Sequence, residues 1–290
     1  MKKLFTLTIC IMAILLLTGC EDESQNMTLT AYTSTYPVEY ILDNLYGENI
    51  AIYSIYPDGT YYNSAKKLTD KQLTDYSNGD LFVYNSTLDN EKEYAVKMLN
   101  KNKKLKIIDA SLGMNIQSDA STNWLNPSNF LMMASNIRKG LKEYISEKIE
   151  IKKIDNNYEN LKLSLSEIDA DLKETYVNAK NKTLIVSSDS FKYLEKYGFT
   201  VISLEQNDNL TDKIISDAKK MYTNKEVQYV FIKDNEEKSE LINDLESNYG
   251  AKVISLNSIS TLTAEQRVND IDYMSLMKEN IGFIKLETNE

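Results

Sequence analysis

Apolar residues recur at Leu161, Leu165, Ile168, Leu172 and Tyr176, in steps of 4, 3, 4 and 4. That is the spacing of one helical face. Glu159, Lys162, Glu167, Asp169, Asp171, Lys173 and Glu174 fill the positions between, as on a solvated face. Neither Gly nor Pro interrupts the stretch from Asn156 to Ala179. The pattern predicts one helix spanning about 35 Å at about 1.5 Å per residue, comparable to the diameter of a small lobe. On both sides of it, apolar runs of strand length alternate with amphipathic segments. The helix therefore reads as a rigid spine between two α/β lobes.

Upstream, strands are predicted at Met27–Thr33, Asn49–Tyr56, Asp80–Tyr84 and Leu105–Asp109. Helices are predicted at Pro37–Tyr46, Thr69–Tyr76, Glu91–Leu99 and Asn126–Ile145, the last with Asn126 as cap and Pro127 at its first position. Downstream, strands are expected at Thr183–Ser187, Phe199–Leu204, Val227–Lys233 and Ala251–Leu256. Helices are expected at Asp189–Tyr197, Asp212–Tyr222, Lys238–Tyr249 and Asp270–Ile281, with Gly198 and Gly250 as stops. Strand–helix alternation at this spacing implies a parallel sheet in each lobe. The fold class is thus α/β: two four-stranded parallel sheets flanked by helices and joined by one long helix. The expected organisation is a leader over residues 1–19, a tether over 20–26, an N-terminal lobe over 27–150, the linking helix over 151–180 and a C-terminal lobe over 181–290.

The leader has its own signature. Lys2 and Lys3 form a basic start, and Leu4–Leu17 is apolar but short for a membrane span. It ends in Leu17-Thr18-Gly19-Cys20, which resembles the lipobox of bacterial lipoproteins. The resemblance implies that Cys20 is acylated, that the lipid bilayer is a partner through it, and that the chain sits on the outer face of the cell membrane. Two or more acyl chains are what stable anchoring requires.

Composition narrows the chemistry. The net charge is −10, which disfavours nucleic acid as a partner. The two cysteines, Cys10 and Cys20, both lie in or next to the leader, so the exported chain carries no disulfide. There is no histidine. Catalytic triads of the Ser-His-Asp or Cys-His kind and His-ligated zinc are thereby excluded. No nucleophile–base pair or phosphate loop is apparent, so no enzyme and no cofactor is expected.

In open parallel sheets, ligands sit beyond the carboxyl ends of the strands, and two such lobes place that region in the cleft between them. Several segments there resemble the zinc and manganese substrate-binding lipoproteins of ABC importers, also called adhesins. Thr33–Pro37 resembles their opening strand and turn. Asp80–Asn85 resembles DLFVYNG, and Ile108–Gly113 resembles VDASEGI. Trp124–Pro127 resembles HVWLDP, Ser187–Leu194 resembles SHDAFGYL, and Tyr273–Asn280 resembles YLSMMREN. The resemblance implies a bilobed fold and an ABC permease as partner. It also implies four metal-binding positions, which fall here on Thr60, Thr122, Ser188 and Asn257, all neutral. Hydroxyls and an amide leave the desolvation of a buried Zn²⁺ uncompensated. The leading expectation is a solute-binding lipoprotein whose transition-metal ligands are replaced, taking a different solute or none. One alternative retains metal delivery through carboxylates, with Asp58, Asp109 and Asp189 next to the vacated positions. Another is a surface adhesion protein that has kept only the scaffold. Tyr32, Tyr36, Tyr53, Tyr56, Tyr61 and Tyr62 cluster in the first lobe and suit a pocket mouth or a filled site.

Overall fold

The computed structural model describes residues 29–63, 65–115 and 120–289; the leader, Cys20 and the tether lie outside them. The N-terminal sheet is built from β1 (Leu29–Thr33), β2 (Ile50–Ser54), β3 (Leu81–Tyr84) and β4 (Lys106–Asp109), in the order β2-β1-β3-β4. The C-terminal sheet is built from β5 (Thr183–Val186), β6 (Thr200–Ser203), β7 (Tyr229–Lys233) and β8 (Lys252–Leu256), in the order β6-β5-β7-β8. Every pairing is parallel. The two sheets have the same topology, so the chain repeats one construction, as the alternating pattern implies.

Helices α1 (Tyr36–Tyr46), α2 (Asp70–Tyr76), α3 (Glu91–Lys101) and α4 (Pro127–Tyr144) belong to the first lobe. Asn126 caps α4 through its side chain, which accepts from Ser128 N at 3.0 Å. The spine, α5, runs over Lys148–Asn178 and is 31 residues long. It begins before the expected residue 151, because the chain leaves α4 in an extended conformation only from Ile145 to Glu147. Helices α6 (Asp212–Thr223), α7 (Glu240–Tyr249), α8 (Ala264–Val268) and α9 (Tyr273–Thr288) complete the second lobe.

Three details differ from the sequence expectation. Asp189–Tyr197 is a 3-10 segment rather than an α-helix. The closing helix begins at Tyr273, capped by Asp272, rather than at Asp270, and runs on to Thr288. The short α8 has no apolar face of its own and was not anticipated; a reciprocal Thr263–Gln266 capping box holds it. Gly198 meets its expected role with φ +108°, and an added Cβ there would lie 2.6 Å from the Tyr176 ring of α5.

The spine joins the lobes through packing. One continuous core runs from Ala31, Val38 and Leu42 through Ile154, Leu161, Leu165, Ile168 and Leu172 to Leu184, Phe231 and Ile281. Helices α1, α4 and α9 pack on α5. Each lobe keeps a smaller private core on its far side, around Phe82 and Met98 in one and Val230 and Leu245 in the other. Among the described residues, no helix is long and apolar enough to cross a membrane.

Candidate functional site

The carboxyl ends of both sheets face one another, and the lobes are shut there. Tyr36 N donates to Ser260 O at 3.3 Å, and Gly59 N to Leu262 O at 2.8 Å. The indole of Trp124, fully buried, donates to Ser258 O at 2.7 Å, while Tyr273 OH donates to Trp124 O at 2.7 Å. Tyr61 OH reaches Asp234 Oδ2 at 2.9 Å. Arg267 on α8 spans the mouth: it binds the Glu39 carboxylate of α1 through two bonds of 2.6 and 3.0 Å, and Asp58 at 2.8 Å. A fork-to-fork pair of this kind is both strong and directional.

Thr60 lies on the loop after β2 and lines a cavity of about 10 Å³, with Ser34, Thr35, Tyr56 and Ser260 also in its wall. Thr122 is buried in the Ala120–Leu125 turn, where its backbone leaves helical geometry, and this turn packs on the Asp189–Tyr197 segment. Ser188 is buried at the start of that segment, where its Oγ caps Ser190 N at 3.2 Å and donates to Glu205 at 3.2 Å. Asn257 points elsewhere. Its N and Nδ2 are engaged by Asn280 and Glu279 of α9, at 2.8 Å each. The residues of that loop that share the cavity wall with Thr60 are Ser260 and Thr261.

The three candidate acids are each committed. Asp58 holds Arg267, Asp109 accepts from Ser111 N and Oγ at 3.0 and 2.9 Å, and Asp189 pairs with Lys192 at 2.9 Å. Among the described residues, no group of three or more His, Cys, Asp or Glu side chains is arranged to hold a metal. The tyrosines are engaged as well. Tyr62 OH donates to Asp89 O at 2.7 Å, Tyr32 packs on Tyr53 and Tyr76, and Tyr36 lies under the Arg267 guanidinium.

Glu91, at the start of α3, is the functional candidate that periodicity does not reveal. It is fully buried. Tyr56 OH donates to its Oε1 at 3.3 Å. Burial pushes its carboxyl up to about 8, against the opposing pull of Ser34, Tyr56 and the Asn85 backbone. The Ser34 hydroxyl faces this carboxyl, although Ser34 Oγ and Glu91 Oε2 fall short of a well-formed hydrogen bond. In the sequence, Glu91 is an ordinary acid in the first turn of an amphipathic helix. Arg267 did leave a signal: the chain has only two arginines, Arg138 and Arg267, and each bridges elements through carboxylates.

The sequence matches the profile of the ZnuA family, described as zinc-uptake complex component A, periplasmic, over residues 32–285. The chain belongs to the ZnuA family. The family is one of solute-binding uptake components of ABC importers, not of enzymes. Among ZnuA-like relatives, the zinc-binding lipoprotein AdcA of Streptococcus pneumoniae is 23% identical over 320 residues, covering 100% of this chain and 62% of AdcA. The chain therefore spans about three-fifths of the length of that relative. The zinc-binding protein AdcA of Streptococcus pyogenes is 26% identical over 172 residues, covering 57% of this chain and 32% of that protein. The fold agrees with the crystal structure of the Zn(II)-bound ZnuA-like domain of S. pneumoniae AdcA, with a TM-score of 0.72, 21% identity, and coverage of 91% and 100% of the two chains. It agrees equally with the metal-dependent lipoprotein YcdH of Bacillus subtilis, with a TM-score of 0.73, 19% identity and 90% and 99% coverage.

Proposed function

We propose that this chain is the extracytoplasmic solute-binding component of an ABC importer, anchored to the membrane through acylated Cys20, and that its cleft has given up zinc. The observation that carries the reading is the donor set. In a ZnuA-family chain with no histidine, the candidate positions Thr60, Thr122, Ser188 and Asn257 are all neutral, and Thr60 lines a small cavity with Ser260 and Thr261. Neutral hydroxyls are weak partners for a borderline-soft divalent ion. Asp58, Asp109 and Asp189 do not replace the lost ligands, because each already balances a neighbour. The cargo is instead a solute bound through neutral oxygens. An ABC permease is its partner in transport.

The test is thermal melting of the purified protein with added Zn²⁺. A ligand that prefers the folded state must raise the melting temperature. We expect no change with Zn²⁺ or Mn²⁺. A stoichiometric rise of several degrees with Zn²⁺ overturns the reading.

A further inference from the structure

The first residues of all four N-terminal strands, Leu29, Ile50, Leu81 and Lys106, line one groove of about 210 Å³ at the end of the lobe remote from the cleft. Tyr144 at the end of α4 and Lys104 before β4 complete its edge. Leu29 and Tyr144 are exposed. The twin end of the C-terminal sheet is built differently. There the Glu287 carboxylate of α9 accepts from Gln228 N and Tyr229 N at 2.9 and 2.6 Å, and Thr288 O accepts from Lys180 N at 2.8 Å. One lobe covers the amino ends of its strands with the closing helix, and the other leaves them as an open groove.

We propose that this face docks on the bilayer surface, among anionic lipid headgroups. The docking rests on the reading that Cys20 carries the lipid anchor, and names the face that the anchor turns to the membrane. The length of chain before the first strand supports it. Nine residue steps separate Cys20 from Leu29, and at about 3.5 Å per step the edge of the groove stays within roughly 30 Å of the acyl chains. Charge supports it as well. Lys103, Lys104 and Lys106 are exposed along the β4 edge of a chain whose net charge is −10. Lys103 donates to Asn100 at 2.8 Å and the Lys106 ammonium lies over the Tyr144 ring at 5.3 Å, so neither is spent on a carboxylate. Asp80, which accepts from Thr30 N at 2.9 Å, and Glu143, next to Tyr144 in the chain, offset part of that charge. Glu48 lies by β2, at the opposite edge of the sheet, and Glu150 there is held by Lys153 and Asn49. The β4 edge is therefore the one that meets the lipid. Anionic headgroups attract lysines at close range, and an exposed tyrosine ring suits the headgroup level.

The spine fixes what such docking does. Glu150, in the first turn of α5, accepts from Asn49 at 2.7 Å beside the docking face, and the helix ends at the far end of the C-terminal lobe, where Lys180 and Asn181 bond Thr288. The docked molecule stands on its N-terminal lobe with α5 rising from the bilayer. The cleft lies at the other ends of the same short strands, roughly 17 Å further from the lipid at about 3.3 Å per residue. Its rim is thus held clear of the headgroups.

Without its leader the chain keeps one thiol, Cys20. The experiment couples that thiol to maleimide-bearing lipids in vesicles of phosphatidylcholine with or without phosphatidylglycerol, then reads lysine acylation by an amine-reactive reagent through mass spectrometry. Relative to the uncoupled protein in solution, Lys103, Lys104 and Lys106 should be protected about threefold or more on vesicles with phosphatidylglycerol. The exposed Lys213 of the C-terminal lobe should not be protected. Lys104→Glu combined with Lys106→Glu should abolish the protection read at Lys103. Equal reactivity of the three lysines on vesicles and in solution would overturn the proposal. So would protection that follows protein concentration without lipid, which assigns the face to a second copy of this chain. The coupling supplies a lipid at Cys20 whatever the cell does, so the two readings fail separately. Cell-derived protein with no lipid on Cys20 sinks the anchor, whereas lipid on Cys20 with no lysine protection on vesicles sinks only the docking face.

Discussion

On the C-terminal rim of the cleft, Ser187, Ser188, Asn257 and Ser258 are held by Glu236, Glu205, Asn280 and Asp234. On the N-terminal rim, Ser34, Thr35, Asn85 and Asn123 each keep an atom without a partner around the buried Glu91. The two sheets share a strand order, so topology does not distinguish the rims. What distinguishes them is where the acids stand. The second lobe places several carboxylates on loops after its strands, within reach of backbone and hydroxyl donors. The first lobe buries Glu91 at the start of α3, engages Asp109 with Ser86 and Ser111, and spends Glu39 and Asp58 on Arg267. A fold with internal symmetry can therefore pair the polar atoms of one half and leave several in the other without a partner.

The largest effect on this comparison comes from the residue that ties the rims together. Trp124 is fully buried and bonded to Ser258 O of the other lobe, while its own carbonyl accepts from Tyr273. Trp124→Ala should cost about 3–5 kcal/mol, measured by urea unfolding. Loss of less than about 1 kcal/mol would show that the rims are held together by other means.

A second effect separates the rims by pH. In its folded place Glu91 holds its proton up to about 8, while in the unfolded chain it releases it in the ordinary carboxylate range. Between those values the folded state binds more protons than the unfolded one. This contribution to stability is therefore complete at pH below about 4.5 and is lost as pH rises through about 8. The melting temperature should fall across that window, and Glu91→Gln should flatten the slope. An unchanged slope in the variant would assign the titration to another group.

The smallest effect is at the mouth. Arg267→Ala removes a charge shared by Glu39 and the more exposed Asp58. The expected loss is about 1–2 kcal/mol, reduced by salt because the pair is partly solvated. Small-angle scattering should show a larger radius in the variant as the lobes part. If the radius stays as in the wild type, the closure rests on the other bonds across the mouth, those of Tyr36, Gly59, Tyr61 and Trp124.

Much of the architecture was legible from periodicity. The Leu161–Tyr176 stripe marked the spine, and the apolar runs around Phe82, Ile185, Phe231 and Ile254 marked strands, because burial against a sheet or a helix leaves a local, regular trace. Capping was legible too at Asn126 and Gly198, where the side chain or its absence acts on its own neighbours in sequence. The 3-10 winding of Asp189–Tyr197 and the small α8 were not, since both depend on docking against distant turns.

The site divides in the same way. Composition alone removed histidine from the chain, and with it the chemistry of imidazole-bound zinc. Thr60 lines the cavity wall with Ser260 and Thr261, while Asn257 bonds Asn280 and Glu279; spacing does not show which residue of a loop faces inward, because that is set by what packs behind it. Nor could any pattern show that Glu91 is buried beside Ser34, fifty-seven positions away in the chain. Local order follows from neighbours in sequence; the environment of a charge follows from neighbours in space, and only the folded chain assembles those.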